Sequence, residues 1–487
     1  MIRLFHRNRR VAHAQPSRRW LAGGRPRRDA AFGRTMRELL ALAWPMTTAM
    51  GAETLMGLVD TKLVAGLGPA ALGGVGVAMT IVFLGYMCVF GLMRGLKVCV
   101  AHAVGERRAY RSVRYAQAGI ALGLMAGVVL WMCTRNAAPL FEAIGIDRSL
   151  VPYATTFLST FTYGAPATAV LSALTHHRQA TGDARTPMVA GIAANVVNAA
   201  LGWSLIYGHA GLPALGVRGG AMASVTAEVL EAAALAALLV RDTRRSGDYA
   251  RARAELPLAK AARELAAVGV PTGLQFGSEM LAMVTFTSVL GTLGAEQIAA
   301  HQIALAIIRL SFLPGGVAIS EAVSVLVGQA LGRRSVADAD RVVAAALAVA
   351  VAFMATCGVI FAFAGQAIVA TFTEVAPVAR AARTLLWIAA GFQVLDAVAI
   401  VLRGALRGAK DVRVPAMIGV AVIWTCVPTA AVVLGRGLGW GAAGGWCGFV
   451  AETTIGACLF AQRWRRGAWR ARFAPREEGP LTPDLAA

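Results

Sequence analysis

Four carboxylates interrupt stretches of sequence that are otherwise apolar: Glu53 and Asp60 in AWPMTTAMGAETLMGLVD, Glu279 in GVPTGLQFGSEMLAMVTF, and Asp396 in GFQVLDAVAIVLRG. An ionised Asp or Glu at the centre of a membrane helix costs about 2.5 to 3.5 kcal/mol on insertion scales, so one retained there faces a cavity or holds a partner. Glu53 and Asp60 are seven residues apart, which places them on nearly one helical face, two turns from each other. Lys62 lies close to Asp60, and Arg403 follows Asp396 by seven residues and offers it an ion pair; Glu279 has no basic neighbour in sequence. Carboxylates gathered in a low-dielectric cavity cannot all stay ionised, because desolvation and like charge both favour a bound proton or cation. If Glu279 and Asp396 converge, Na⁺ sits between their oxygens and Phe392, one turn before Asp396, turns a ring face to the ion; a proton needs only one carboxyl. The chemistry implied is reversible loading with Na⁺ or H⁺. Glu321, in PGGVAISEAVSVLVGQ, either lines the same cavity or pairs with Arg309; Glu228, Glu231 and Glu452 read as packing or interface residues, and Arg94 and Lys97 as cations snorkelling to a helix end.

The elements that must carry these acids are membrane helices. The 487 residues are 57% hydrophobic and only 15% charged, far from the balance of a soluble domain. Apolar runs of roughly 20 residues, each long enough to cross about 30 Å of hydrocarbon, recur about twelve times between residues 39 and 461. The pattern is also written twice. Pro45 and Glu53 return as Pro271 and Glu279, LGPAALGG at Leu67 as LGAEQIAA at Leu293, AVGERR ending at Arg108 as ALGRR ending at Arg334, and TGDARTP ending at Pro187 as AKDVRVP ending at Pro415. Duplicated hydrophobic halves are a common plan of secondary transporters, with substrate and coupling ions bound between or within them at membrane depth. The expected organisation is an all-α polytopic protein of two pseudo-symmetric six-helix bundles. It comprises a basic disordered tail (1–38), an N-lobe (39–240), an inter-lobe linker (241–264), a C-lobe (265–462) and a second tail (463–487).

A net charge of +21 would suggest nucleic acid in a soluble protein, but 37 of the 47 Lys and Arg fall in the tails and even-to-odd connections of a twelve-span chain. That bias puts both termini in the cytoplasm and excludes a nucleic-acid partner. The segment to Gly33 lacks the apolar core of a secretory signal, and Met36 offers a second start. The seven cysteines all lie in apolar spans without metal spacing, and the adjacent His176 and His177 point apart, so no metal and no cofactor is expected. The chain contains neither a nucleophile elbow nor a phosphate loop, which argues against an enzyme.

Together these segments resemble the multidrug and toxic compound extrusion (MATE) family. The likeness runs from about Leu40 to Gln462 through Pro45 to Asp60, LGAEQIAAHQ at Leu293, VGQALG at Val327, LRGALRGAKDVRVP at Leu402 and ANVVNAALGWSLIYG at Ala194. The inner-face charge bias and the lack of disulfide spacing suit a bacterial inner membrane, and a monomer is expected. The resemblance implies two six-helix bundles in a V, and export of amphipathic, often cationic, small molecules in exchange for Na⁺ or H⁺. It places Glu279 and Asp396 at the C-lobe cation site of the NorM-like branch and Asp60 at the first-helix aspartate. It also places Asn198 at the N-lobe site, with Glu53 as an auxiliary acid there. The chain departs from the DinF-like branch at Gly202, where that branch has a second aspartate, and its halves have diverged, with Phe286 at the repeat position of Asp60 and Thr168 at that of Asp396. The alternatives are a flippase of lipid-linked saccharides from the same superfamily, whose cavity would be more cationic, and a polytopic membrane enzyme.

Overall fold

A chain in a bilayer must satisfy its own backbone hydrogen bonds, and this one does so in helices. The computed structural model describes residues 28–139, 141 and 145–473, among which there is no β-strand. The first half contains α1 (Arg28–Ala65), α2 (Pro69–Gly105), α3 (Ser112–Thr134), α4 (Val151–Tyr163) and α5 (Ala165–Ala180), α6 (Arg185–Tyr207) and α7 (Val217–Ser246). A short helix, α8 (Asp248–Glu255), leads to α9 (Leu258–Gly291) and α10 (Ala295–Ser311), which passes through a π-helical stretch (Phe312–Ala318) into α11 (Ile319–Gly332). Then follow α12 (Val336–Ala370), α13 (Ala376–Gly408), α14 (Arg413–Ala430) with a π-helical extension (Ala431–Gly437), α15 (Gly441–Arg466) and the short α16 (Trp469–Phe473). With α4 and α5 taken as one rod interrupted at Gly164, and α10 and α11 as another, each half has six rods. Eight of the twelve are long and apolar enough to cross a membrane on length and composition alone. The other four are the divided α4–α5 rod and the helices α1, α9 and α15, which carry Glu53, Asp60, Glu279 and Glu452.

Three segments differ from the sequence expectation. Residues 28–38, expected in a disordered tail, extend α1, because no proline interrupts the run and the helical hydrogen bonding continues past the apolar stretch; residues 1–27 lie outside the described part. The linker at 241–264 is largely helical: α7 runs to Ser246, α9 begins at Leu258, and Glu255 of α8 accepts hydrogen bonds from Tyr110 at 2.5 Å and Arg111 at 3.1 Å. After residue 462 the chain remains packed, with Arg463 bidentate on Asp411 at 2.7 and 3.1 Å, Arg470 on Asp340 at 2.7 and 3.0 Å, and Trp469 buried. Residues 474–487 are outside the described part.

The packing of the core shows how the halves meet. One cluster joins Leu39, Leu42, Met46 and Ala101 of the first half to residues of α11, α12 and α13; a second joins Met93 and Leu96 to Ala261 and Leu265; a third joins Val98 to Val268 and Val412. All lie towards the end that bears the basic connections. At the opposite end each half keeps a core to itself, around Phe141, Phe157 and Phe161 in one and around Phe286, Trp446 and Phe361 in the other. The bundles therefore form a V, joined at the basic end and separated at the other.

Glycine permits the join. Between membrane helices there is little hydrophobic drive, so close backbone approach and dispersion must supply the attraction. On α2, a Cβ at Gly95 would lie 2.5 Å from the Leu265 carbonyl oxygen and 2.6 Å from the Gly269 nitrogen of α9, while a Cβ at Gly57 of α1 would touch nothing within 4 Å. Forcing extra atoms into packed backbone costs about 1–3 kcal/mol. Gly95→Ala is expected to lower the thermal unfolding midpoint of the detergent-solubilised protein by several degrees, and Gly57→Ala to leave it within error, in a fluorescence-detected chromatographic melt.

Candidate functional site

The polar groups inside the helices form three clusters. In the first half, α1 brings Asp60 against Asn198 of α6, whose amide nitrogen donates to both carboxylate oxygens at 3.2 and 3.3 Å. Ser224 of α7 donates to Asn198 Oδ1 at 3.3 Å, which fixes the amide with its nitrogen towards the acid. Asn198 is buried, and the Tyr207 hydroxyl donates to the Leu63 carbonyl at 2.7 Å, tying the same helices together just beyond the acid. Gly202 lies one turn on from Asn198, and a Cβ there would meet the Leu63 side chain at 3.3 Å, so the chain fills that position by packing. One turn further along α7, Glu228 accepts a hydrogen bond from Thr168, which lies 3.2 Å from the Tyr86 hydroxyl. Glu53 of α1 and Glu231 of α7 lie within Coulombic range of each other and Glu53 within range of Glu228. No Lys or Arg among the described residues pairs with Glu53, Asp60, Glu228 or Glu231.

The second half is arranged differently. Glu279 of α9 receives Gln275 Nε2 at 2.9 Å and Arg403 Nη1 of α13 at 3.0 and 3.3 Å. Arg403 Nη2 also lies 3.7 Å from Glu452 of α15, and its guanidinium sits 5.2 Å from the Phe460 ring centroid. Asp396, seven residues before Arg403, makes no hydrogen bond or ion pair with the described residues, although it is within Coulombic range of Arg403 and Glu452. Arg403 thus goes to Glu279 rather than to its neighbour in sequence. Phe392 is buried in an aromatic group with Phe449, Trp446, Phe286 and His301. Phe286, at the repeat position of Asp60, is wholly buried in that group, so aromatic packing replaces the amide–acid contact of the first half.

The third cluster crosses between the halves, and sequence reading missed it. Glu321 of α11 is bound by Arg94 Nε at 2.7 Å and Lys97 Nζ at 2.6 Å, both on α2, and by Arg407 Nη1 of α13 at 3.2 Å. The Phe276 ring of α9 lies 4.2 Å from the Arg94 guanidinium and 5.8 Å from that of Arg407. Lys97 is 2% exposed and the Arg94 side chain 13%, and both turn inward to the buried Glu321, so neither cation snorkels to a helix end. Here the repeat offset has drifted to 227, as Gly105 and Gly332 show, and at that offset Arg94 and Glu321 occupy equivalent positions. Gly105 and Gly332 themselves meet, a Cβ on the second lying 2.9 Å from the Cα of the first. Elements related by a two-fold axis touch their own counterparts on that axis, so opposite charges at matched positions were the signal available in the sequence.

Two bundles of six joined in a V, with carboxylates at membrane depth, define a polytopic transporter. Residues 45–204 and 271–432 each match the MatE family model, so the two matches coincide with the two halves. The chain is 31% identical over 461 residues to a probable multidrug resistance protein NorM of Xanthomonas campestris pv. campestris, covering 94% of this chain and 98% of that protein. It is 32% identical over 428 residues to a protein of the same description from Pseudomonas syringae pv. tomato, covering 84% of this chain and 90% of that one. The fold matches that of a multidrug resistance MATE family transporter solved in an outward-facing conformation, with a TM-score of 0.79 at 22% identity over 92% of this chain and 99% of that one. The chain belongs to the MATE family of multidrug transporters, and is a transporter rather than an enzyme.

Removing one partner of a buried ion pair costs about 3–5 kcal/mol, because the other charges stay buried without compensation. Glu321→Gln is therefore expected to lower the melting midpoint well beyond the effect of Glu321→Asp, in the same chromatographic melt; equal midpoints for Gln and Asp would remove the electrostatic role of this contact.

Proposed function

We propose that the protein is a secondary antiporter of a bacterial inner membrane, acting as a monomer with both termini cytoplasmic, that exports amphipathic cationic compounds in exchange for H⁺ loaded on Asp60. The observation that carries this reading is the set of four first-half carboxylates with no cationic partner among the described residues, one of them held by Asn198. Such acids attract a cationic substrate, and they also need a proton or cation once the cavity is dry. Around Asp60 the neighbouring polar group is an amide nitrogen, a hydrogen-bond donor that a metal cation cannot use as a ligand. Hard cations take several oxygen ligands, so this environment suits a proton better than Na⁺.

In the cycle that follows, a proton entering through the open end of the V neutralises Asp60, lowers the negative potential of the cavity and releases the drug outward. The basic end must then part while the other closes, and loss of the proton to the cytoplasm restores the carboxylate for the next substrate. Proton and drug compete because each favours a different charge state of the same wall, which is the differential affinity that alternating access requires. One H⁺ exchanged for one monovalent cation moves no net charge, so the pH difference is the drive: each pH unit supplies about 1.4 kcal/mol, enough for a drug gradient of roughly ten-fold. In this reading Asp396, which makes no ion pair among the described residues, serves the cationic substrate at the second half, while Glu279 is held by Arg403.

The test is efflux of a fluorescent cationic dye from proteoliposomes, with a pH gradient and a Na⁺ gradient imposed separately. An inward-directed proton gradient is expected to drive dye movement, and Asp60→Asn to reduce the driven rate at least about ten-fold, a loss equal to about 1.4 kcal/mol. Drive by Na⁺ alone, unaffected by Asp60→Asn, would reject H⁺ loading at this residue.

A further inference from the structure

Arg403 has a place in this site that neither the family match nor the expected two-acid cation site explains. It is on α13, buried to within 18% side-chain exposure, and reaches across to Glu279 of α9 with one nitrogen and towards Glu452 of α15 with the other, at 3.0 and 3.7 Å. Three rods of the second half are therefore tied through one guanidinium. Other groups crowd the same carboxylate. Gln275 occupies a further direction of Glu279 Oε1 at 2.9 Å, and a Cβ on Gly419 of α14 would lie 2.9 Å from that same oxygen.

From this geometry we infer that Arg403 is the resident cation of the second-half acid site: it fills the position at Glu279 and Glu452 that an exchanged metal cation would take, and so decides that this half does not load Na⁺. A guanidinium suits the role, since it stays charged and its planar fork can bridge two carboxylates. It is a specificity-determining residue acting through Glu279, and it rests on the proposed antiport only in that both assign the coupling ion to the first half. The groups facing it are Glu279, Glu452, Asp396 and Arg407, with Phe460 on its ring side.

Removing the guanidinium leaves Glu279, Glu452 and Asp396 together without a counter-ion, a state that favours capture of an external cation. The experiment is thermal unfolding of the purified full-length protein at pH 8.5, with NaCl titrated against choline chloride at constant ionic strength. The wild-type midpoint is expected to be the same in both salts. Arg403→Ala is expected to start from a lower midpoint and to regain at least about 3 °C with Na⁺ over choline. Glu279→Gln added to Arg403→Ala is expected to abolish that gain, and Arg403→Lys to be as insensitive to Na⁺ as the wild type. A wild-type Na⁺ shift that Glu279→Gln removes would overturn the inference, as would Arg403→Ala without any Na⁺ shift. Because this reads ion binding and not transport, it fails independently of the proton-driven efflux measurement.

Discussion

The fold depends on a buried charge contact at the joined end of the V. Glu321 and Arg94 are the same position in two copies of one pattern, and they meet because the copies face each other across a pseudo-two-fold axis. Identical residues at such a point would set like against like, and for ionised groups in low dielectric that is prohibitive. Divergence at this one position converts repulsion into attraction. Lys97 and Arg407 add to the same carboxylate, so one acid gathers cations from α2 and α13 while the flanking glycines bring the backbones into contact. The contact is strong when dry and weak when wet, since water restores the dielectric that the interior lacks. An interface of that kind holds two discrete arrangements better than a graded series, which is what alternating access asks of it.

The asymmetry of the halves follows from the same logic of partners. In the first half, acids on α1 and α7 are held by amide and hydroxyl groups, which orient a carboxylate without cancelling its charge. In the second, Glu279 and Glu452 share a guanidinium, and the position matching Asp60 is given to Phe286 in an aromatic core. One half keeps net negative charge available to a mobile cation, and the other has part of its acid neutralised from within. Duplication supplied two equal frames, and substitution at a few interior positions has given them unequal electrostatics.

Much of this was legible in the chain. Hydrophobic run length specified helices that cross a bilayer, the repeat specified two bundles, and the cost of burying charge pointed to Asp60, Glu279 and Asp396. Helix ends were read less well where polar sequence continues a helix beyond the hydrocarbon, as at residues 28–38 and in α8, because an apolar count falls silent while the backbone hydrogen bonds go on. Partners were read least well. Asp396 and Arg403 are seven residues apart on one helix and still do not pair; Glu321 was assigned to Arg309 or to the cavity, and Arg94 and Lys97 to a helix end.

By itself, then, the sequence determined the solvent, the secondary structure, the twofold repeat and the short set of acids that had to be compensated, since each of these follows from composition, period or transfer cost along a single segment. The tertiary structure alone decided who partners whom: Asn198 with Asp60, Arg403 with Glu279 and Glu452, and Arg94 and Lys97 with Glu321. These choices join helices up to 227 residues apart, and an ion pair in low dielectric is settled by distances of a few ångströms that no local pattern encodes.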